Sequence, residues 1–331
     1  MKQRKSFKPA LITAFLWITL TPLLSCSSWA QSTNVRRVAV LTPGGDFGAV
    51  LEGLRHGLAQ LGYVDGKQVA FIIEDTKMET LDPVKAAMRL IAAKPDLLVT
   101  VAISHAAAAK QVVGSLPVIF TLVSDPVQLG FVASYASSKN NFTGVSNSVA
   151  TLSGKRLEVL KEMVPGIKRA LTMVTVKETI AQKSFQFLAE SANKFGVQLI
   201  RRDVTAKEDL EKVLLETPKG SVDAIIHVPA ILLRNHIALI VEKANKDKLP
   251  FGVHTEELVK KGALVSYGED NWLIGIQAAR LVVKVLKGVP PAEIPIETPE
   301  RPLLAVNRTT AKTIGVKIPR EFLEHVDRIV D

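Results

Sequence analysis

The strongest constraint on this chain is that its pattern of apolar and polar segments occurs twice. One copy begins with RRVAVLTPGGDFGAVLEGLRHGLAQLGYVDGKQVAFIIED, and the other begins with KRALTMVTVKETIAQKSFQFLAESANKFGVQLIRRDV. Each segment reads as an apolar strand, a polar loop, an amphipathic helix, a turn that contains glycine, and a second strand. The next segments also correspond, because KPDLLVTVAISHAAAAK pairs with SVDAIIHVPAILLRNHI, and LPVIFTLVSDPVQLGFV pairs with LPFGVHTEELVKKGALV.

This repeat indicates the fold class. Strands that alternate with helical segments of roughly 10–15 residues are typical of βαβ units and a parallel sheet. Two copies predict an α/β protein with two doubly wound parallel-sheet lobes. Ligands bind beyond the carboxyl ends of such strands, so two facing lobes would form a ligand cleft between them. The alternative is two Rossmann-like domains with independent roles.

The segment after the second copy predicts how the chain returns to the first lobe. Residues Ile274 to Leu286 are apolar on most faces, which is typical of a buried helix that covers the first lobe. Prolines follow, then a strand LLAVN and a last helix from about Arg320. Crossings near Thr143–Ser148 and near Gly268 predict a hinge of several strands. The predicted lobes comprise residues 35–146 with about 269–300, and residues 147–268 with about 301–331.

Residues 1–30 have the pattern of an export signal. An apolar segment from Ala10 to Leu24, too short for a comfortable membrane span, follows a positively charged start. Ordinary cleavage after Ala30 and lipidation of Cys26 within LLSC are both open, and an uncleaved membrane anchor is a third alternative. We therefore expect the protein in the periplasm or at the extracytoplasmic face of the cell membrane.

Several kinds of chemistry lack a motif in this chain. It has no G-x-S-x-G elbow, Walker loop or H-E-x-x-H sequence, and GGDFG has the wrong spacing for a dinucleotide fingerprint. Six scattered histidines and a single cysteine do not suggest a metal site. The net charge is +10, but no basic run alternates with aromatic residues. We expect no enzyme activity, cofactor, metal or nucleic-acid partner.

The predicted starts of helices are the remaining candidates for a binding site. Free N–H groups and aligned peptide dipoles at these points suit a carboxylate or another anion. Ser104 is expected either to cap its helix or to donate its hydroxyl to a ligand. In the sequence SDP, Asp125 is expected to cap a helix, with Ser124 facing the cleft. His105 and His254 follow strands and could contact a ligand, or could be ordinary turn residues.

Longer segments of the chain resemble one protein family. These are LPVIFTLVSDPVQLGFV, NFTGVS, VPGIKR and GALVSYGEDNWLIGIQAARLVVKVLKGVPPAEIPIETPERPLLAVN, with AKTIGVKIP after it. From about Arg36 to its C-terminus the chain resembles the tryptophan-binding-protein-like group of ABC transporter substrate-binding proteins. The resemblance implies a type I periplasmic-binding fold, closure of two lobes on a small, carboxylate-bearing or amino-acid-like solute, and delivery to an inner-membrane permease with its ATPase.

The resemblance also implies which loops contact the ligand. The implied contacts lie at strand ends: Thr42, Asp46, Phe47, Ser104, His105, Ser124, Asp125, Thr175, Lys177, Glu178, Pro229, Ala230, His254, Thr255, Glu256 and Tyr267. We expect a monomer. A ligand-sensing domain of a signalling system and an enzyme on the same fold are the alternative functions.

Overall fold

Two sheets organise the residues that this computed structural model describes, which are 35–78 and 80–331. The predicted leader and both of its processing sites lie outside the described residues. Within the described ranges, no helix has both the length and the apolar character that a membrane span requires.

The first sheet carries the first copy of the repeat. Its strands are β1 (Arg36–Thr42), β2 (Val69–Asp75), β3 (Leu97–Val101), β4 (Val118–Ser124) and β5 (Phe142–Asn147). All of them run parallel, in the order β2-β1-β3-β4-β5. Strand β3 is buried along its whole length, as its apolar sequence predicts for a strand covered on both faces. The helices of this copy are α1 (Gly48–Gln60), α2 (Pro83–Ala92) and α3 (Ile103–Val112).

The second sheet carries the second copy and the C-terminal strands. Its strands are β6 (Arg169–Thr175), β7 (Gln198–Val204), β8 (Ala224–Ile226), β9 (Phe251–Val253), β10 (Val265–Glu269), β11 (Pro302–Asn307) and β12 (Arg328–Val330). Their order is β12-β11-β10-β9-β8-β6-β7, and β11 runs antiparallel to β10. The other pairs in this sheet are parallel. The prediction of two parallel-sheet lobes is therefore confirmed, with one antiparallel strand pair.

Nine further helices follow the first three within the described residues. They are α4 (Ser153–Met163), α5 (Thr179–Phe195), α6 (Lys207–Leu215), α7 (Ile231–Asn235), α8 (Ile237–Asp247), α9 (Glu256–Lys260), α10 (Asn271–Leu286), α11 (Arg308–Ile314) and α12 (Arg320–Leu323). Short 3-10 helices occupy Gly45–Phe47 and Pro291–Glu293.

Helix α10 returns to the first lobe, as its apolar sequence predicts. Its buried residues share one core with α1 and with strands of the first sheet. The two helices approach so closely that a methyl group on Gly275 would lie 2.1 Å from the carbonyl oxygen of Val50. Glycine is therefore required where these helices cross.

The chain passes between the two sheets three times. The crossings follow β5, follow β10, and lead into β11. Before the third crossing, Glu297 runs beside β5, because its N–H donates to the carbonyl of Gly144 at 2.9 Å and its carbonyl accepts from the N–H of Ser146 at 2.8 Å. The first lobe and the second lobe are thus joined at one side by three neighbouring segments.

One local prediction at a helix start is wrong, and one strand was not predicted. Residues 126–130 form turns rather than the helix expected after Asp125. The last helix begins at Arg320, as predicted, and ends at Leu323, and the unpredicted strand β12 follows it. Asp327 explains that strand, because its backbone N–H donates to the carbonyl of Leu304 at 2.9 Å and its carboxylate accepts from the N–H of Leu304 at 2.8 Å. These bonds set the chain beside β11.

Candidate ligand-binding cleft

A cleft of about 380 Å³ lies between the two lobes, where the carboxyl ends of their strands face each other. Residues from both copies of the repeat contribute to its walls. They are Pro43, Phe47, Met78, Ala102, Ile103, Ser104, Leu122, Leu129 and Asn147 before the first crossing, and Val149, Glu178, Thr179, Ile180, Pro229, Ala230, Ile231, Arg234, His254, Thr255, Glu269 and Asn271 after it. Most of these side chains are apolar, and few of them are charged.

Three residues in the first-lobe wall of the cleft have strained backbone conformations. Met78, Ala102 and Leu122 have positive φ angles of 58°, 74° and 57°. Such conformations favour glycine and cost other residues of the order of 1–3 kcal/mol each. At Leu122 the pairing of β4 with β5 also shifts register. The surrounding fold therefore holds this wall in a shape that the local sequence does not prefer.

Arg234 is the central polar residue of the second-lobe wall. It is 8% exposed, and among the described residues it is the only lysine or arginine that lines the cleft. Its guanidinium donates to Nε2 of His254 at 2.8 Å and to the Asp46 carboxylate at 3.4 Å, and it lies 4.8 Å from the ring centroid of Phe47. Asp46 and Phe47 belong to the first lobe, so Arg234 contacts both walls.

A pair of buried histidines orients that guanidinium. An arginine can only donate, so Nε2 of His254 accepts and its Nδ1 carries the proton. That Nδ1 lies 3.1 Å from Nδ1 of His227, to which it donates, and the two rings stack with centroids 4.8 Å apart. Burial, followed by nearby positive charge, lowers the pKa of His227 and of His254 well below the usual value of 6.5. Both rings are therefore neutral near pH 7, and His254 is available as the acceptor for Arg234.

Glu269 and Asn271 form the side of the cleft next to the second crossing. The Glu269 carboxylate accepts a short hydrogen bond from the backbone N–H of Ser148, in the first crossing. Burial raises the pKa of Glu269 to about 7, against the opposing effects of that bond and of the nearby Arg156 charge. Both residues also line a second cavity of about 310 Å³ beside Asp270 and Arg328.

The structure brings together only part of the predicted contact set. The predicted residues that line the cleft are Phe47, Ser104, Glu178, Pro229, Ala230, His254 and Thr255. The predicted residues that do not line it are Thr42, Asp46, His105, Ser124, Asp125, Thr175, Lys177, Glu256 and Tyr267.

The residues in the second group have other partners or positions. His105 is buried, its Nε2 lies 2.7 Å from the Thr76 hydroxyl, and burial lowers its pKa to about 4. Ser124 donates to the side chain of Asn147 in a short hydrogen bond. Other first-lobe side chains engage local backbone or the opposite lobe: Thr42 Oγ1 accepts from the N–H of Gly44, Asp46 pairs with Arg234 and Lys261, and Asp125 pairs with Lys183.

The remaining residues of that group belong to the second lobe. Lys177 is exposed, and Thr175 is buried at the end of β6. Glu256 pairs with Lys260 at 2.8 Å and, more closely, with Arg328, and it lines the second cavity. The backbone carbonyl of Tyr267 accepts from Nε of Arg156.

Ser104 lines the cleft but does not cap its helix. Helix α3 begins at Ile103, and Ala102 occupies the N-cap position without a side-chain cap. Ser104 therefore lies within the first turn, with its hydroxyl 3.0 Å from Nδ1 of His105. Of the two roles expected for Ser104, the capping role is wrong.

Sequence reasoning missed Arg234, Asn147, Glu269 and Asn271. Arg234 carried a usable signal, since it interrupts the apolar run of VPAILLRNHI three residues after Ile231. Asn147 and Glu269 end β5 and β10, where the chain leaves a sheet. Such strand ends are sites at which a polar side chain can reach a ligand.

Comparison with known proteins agrees with this architecture. Residues 37–330 match the family described as ABC transporter substrate binding protein. The chain belongs to this family. It is 24% identical over 267 residues to a tyrosine-binding protein of Clostridioides difficile strain R20291, covering 80% of this chain and 76% of the relative.

Solved structures show the same fold. One is an ABC domain in complex with L-Trp from Streptococcus pneumonia, with a TM-score of 0.79 and 22% identity over 89% of this chain and all (100%) of that one. Another is the ligand-free, open form of a substrate-binding protein with adhesive properties from Clostridium difficile, with a TM-score of 0.70 and 23% identity over 89% and 99% of the two chains. Like these relatives, this substrate-binding protein has two lobes of the type I periplasmic-binding fold.

Proposed function

We propose that this substrate-binding protein captures an α-amino acid with an apolar, preferably aromatic, side chain. The observation that carries the proposal is the buried guanidinium of Arg234, in a mainly apolar cleft between two lobes. Relatives described as tyrosine-binding and as bound to L-Trp support the same class of ligand.

Arg234 would receive the carboxylate of the ligand. A guanidinium has five N–H donors in a planar fork that matches a carboxylate. Its bond to neutral His254 fixes the plane of the group, while its bond to Asp46 is long at 3.4 Å. A ligand carboxylate can therefore compete with Asp46 for the same face, and the N–H groups at the start of α3 would assist it.

The apolar walls would hold the side chain of the ligand. Ile103, Leu122 and Leu129 line the first-lobe side, and Ile180 and Ile231 line the second-lobe side. Removing apolar surface from water contributes roughly 25 cal/mol per Å², so an aromatic ring between these walls would add considerably to affinity.

The experiment is calorimetric titration with L-tryptophan, L-tyrosine, L-phenylalanine and L-leucine, on the wild type and on Arg234→Gln. A hydrogen bond to a charged group contributes roughly 1.5–3 kcal/mol, so we expect Arg234→Gln to bind about 10- to 100-fold more weakly. Lys261→Gln is the matched control, because Lys261 also pairs with Asp46 but does not line the cleft. Equal losses in the two variants would contradict the role of Arg234.

The family role sets the wider context of this site. ABC transporter substrate-binding proteins present their solute to a membrane permease on the extracytoplasmic side. We propose that this chain acts as a monomer with a permease and its ATPase, after export and processing at Ala30 or Cys26. N-terminal sequencing and intact mass of the protein from native cells test the processing, and full-length Met1 at the mature terminus would contradict both sites.

A further inference from the structure

The side of the cleft next to the crossings holds two buried polar side chains with unused hydrogen-bonding capacity. Glu269 is 8% exposed and Asn271 is 4% exposed, and both line the cleft. Burying a carboxylate or an amide costs free energy unless the group finds partners. Their partners within the protein therefore decide whether they are structural or await a ligand.

Glu269 has one hydrogen-bond donor, the backbone N–H of Ser148. Within the described ranges, no lysine, arginine or histidine forms an ion pair with it. Arg156 is a nearby positive charge, but its hydrogen bonds go to the carbonyls of Tyr267 and Val149 and to the hydroxyl of Ser153. The carboxylate thus keeps acceptor sites that no protein cation occupies.

Asn271 has even fewer side-chain partners. It is the first residue of α10, and the cap of that helix is the neighbouring Asp270, which accepts from the N–H groups of Trp272 and Leu273. In the described part of the chain, the side-chain amide of Asn271 has no hydrogen-bond partner. Neither residue is thus explained by capping or by ion pairing.

One other carboxylate lines the cleft and must be compared with Glu269. Glu178 is half-buried, and its carboxylate already accepts from the backbone N–H of Ile231 at 2.9 Å, at the start of α7. A carboxylate that satisfies a helix N-terminus and is partly hydrated gains less from a ligand cation than a buried one does. The comparison favours Glu269.

We propose that Glu269 and Asn271 bind the ammonium group of the amino acid and so select primary α-amines over their deaminated analogues. The inference rests on the proposed function and adds a second polar subsite to the one at Arg234. An ammonium has three N–H donors and no acceptor, which suits the oxygens of a carboxylate and of an amide. Glu269 ends β10 and Asn271 begins α10, so both lie at the second crossing. The bound ammonium would therefore connect the ligand to this crossing.

The test uses two pairs of probes that differ in the amine alone: L-tryptophan with indole-3-propionate, and L-tyrosine with 3-(4-hydroxyphenyl)propionate. We measure affinities by calorimetry for the wild type, Glu269→Gln, Asn271→Ala and the control Glu178→Gln. Glutamine keeps an oxygen for the N–H of Ser148, and melting curves check that each variant is folded. We expect Glu269→Gln to bind the amino acids about 10- to 100-fold more weakly, and Asn271→Ala about 10-fold more weakly.

The deaminated probes complete a thermodynamic cycle. In the wild type, we expect the deaminated probes to have lower affinity than the amino acids. The affinity of the deaminated probes should not fall further in Glu269→Gln. Equal losses for both members of a pair, or a larger loss in Glu178→Gln, would overturn the ammonium subsite while leaving the proposed function intact. A wild type that binds none of the amino acids would overturn the proposed ligand class, and the subsite with it.

Discussion

Ser104 lies in the first turn of α3 and faces the cleft, and it therefore offers a direct test of ligand charge. A negative charge in the first turn of a helix is favourable to the helix, by about 0.3–1 kcal/mol. The same charge would repel a bound carboxylate. We expect Ser104→Asp to keep or slightly raise the melting temperature while weakening the binding of L-tryptophan more than Ser104→Ala does. Wild-type affinity in Ser104→Asp would show that this helix start does not receive the carboxylate.

The buried carboxyl of Glu269 makes stability depend on pH in a definite direction. Burial raises its pKa from 4.5 to about 7, so the folded protein holds that proton more tightly than the unfolded chain does. This contribution to stability is complete below about pH 4.5 and is lost as pH rises through about 7. Affinity for an ammonium should change in the opposite sense, because the carboxylate is the form that binds it.

We therefore expect the melting temperature of the wild type, relative to Glu269→Gln, to fall between pH 5 and pH 7.5 while its affinity for L-tryptophan rises. Comparison with the variant is needed because other groups also titrate. The charged or titratable groups around Glu269, in both cavities that it lines, are Glu52, Arg156, Glu178, Arg234, His254, Glu256, Glu257, Lys260, Asp270 and Arg328. Buried His105, with its pKa lowered to about 4, destabilises both proteins in acid. Parallel pH profiles for the two proteins would contradict the assignment.

At this scale the sequence predicted positions better than it predicted roles. Strand ends were correctly placed, and Ser104, Glu178 and His254 line the cleft; their contact with a ligand stays a prediction. The capping role of Ser104 could not be predicted correctly, because the helix start is set by the positive φ of Ala102, a conformation that an alanine does not signal. Arg234 was missed because its burial depends on partners from both lobes.

At the scale of elements, the repeat predicted the strands well because buried parallel strands are short, continuous apolar runs. Contacts between segments that are distant in the sequence were harder to predict. Strand β12 pairs with β11, and two bonds between Asp327 and Leu304 lead the chain into that pairing. The turn after Asp125 replaces a helix, although Asp125 still accepts from the N–H of Gln128 at 3.2 Å. A local capping pattern marks such a site, but it does not determine whether a helix continues beyond it.

The crossing of α1 and α10 is the element contact with the clearest mutational consequence. A methyl group on Gly275 would lie 2.1 Å from the carbonyl oxygen of Val50, so the helices would have to separate. We expect Gly275→Ala to lower the free energy of unfolding by about 1–3 kcal/mol. Gly48→Ala is the control, because Gly48 lies in α1, the other helix of this pair, has a helical φ of −55°, and has open space at its Cβ position. There alanine should stabilise by about 0.5–1 kcal/mol. Denaturant unfolding of both variants gives the comparison, and equal effects would contradict this packing.

Across the whole molecule, ion pairs join the two lobes at separate places. Lys183 of the second lobe pairs with Asp125 of the first at 3.1 Å, while Arg234 and Lys261 pair with Asp46. The Lys183–Asp125 pair is 32% and 45% exposed, and an exposed pair contributes roughly 0–1 kcal/mol. The free energy that this exposed pair contributes between the lobes is therefore small and sensitive to salt. A ligand that contacts both walls adds its own binding free energy to the closed form.

This balance predicts how the size of the molecule responds to salt and ligand. Between about 0.01 M and about 1 M salt the Debye length falls from about 30 Å to about 3 Å, which weakens exposed pairs. We expect the radius of gyration from small-angle scattering to increase with salt and to decrease again on addition of L-tryptophan, because three crossings allow the lobes to hinge.

The double variant Lys183→Gln/Lys261→Gln should have the larger radius already at low salt and should respond to ligand alone. Lys207→Gln removes the Lys207–Glu211 pair, which is similarly exposed but lies within the second lobe, so it should behave as the wild type does. If the radius of gyration depends on salt equally in the wild type and the double variant, these pairs do not hold the lobes together. If calorimetry shows that the ligand is bound but the radius does not change, closure itself is contradicted.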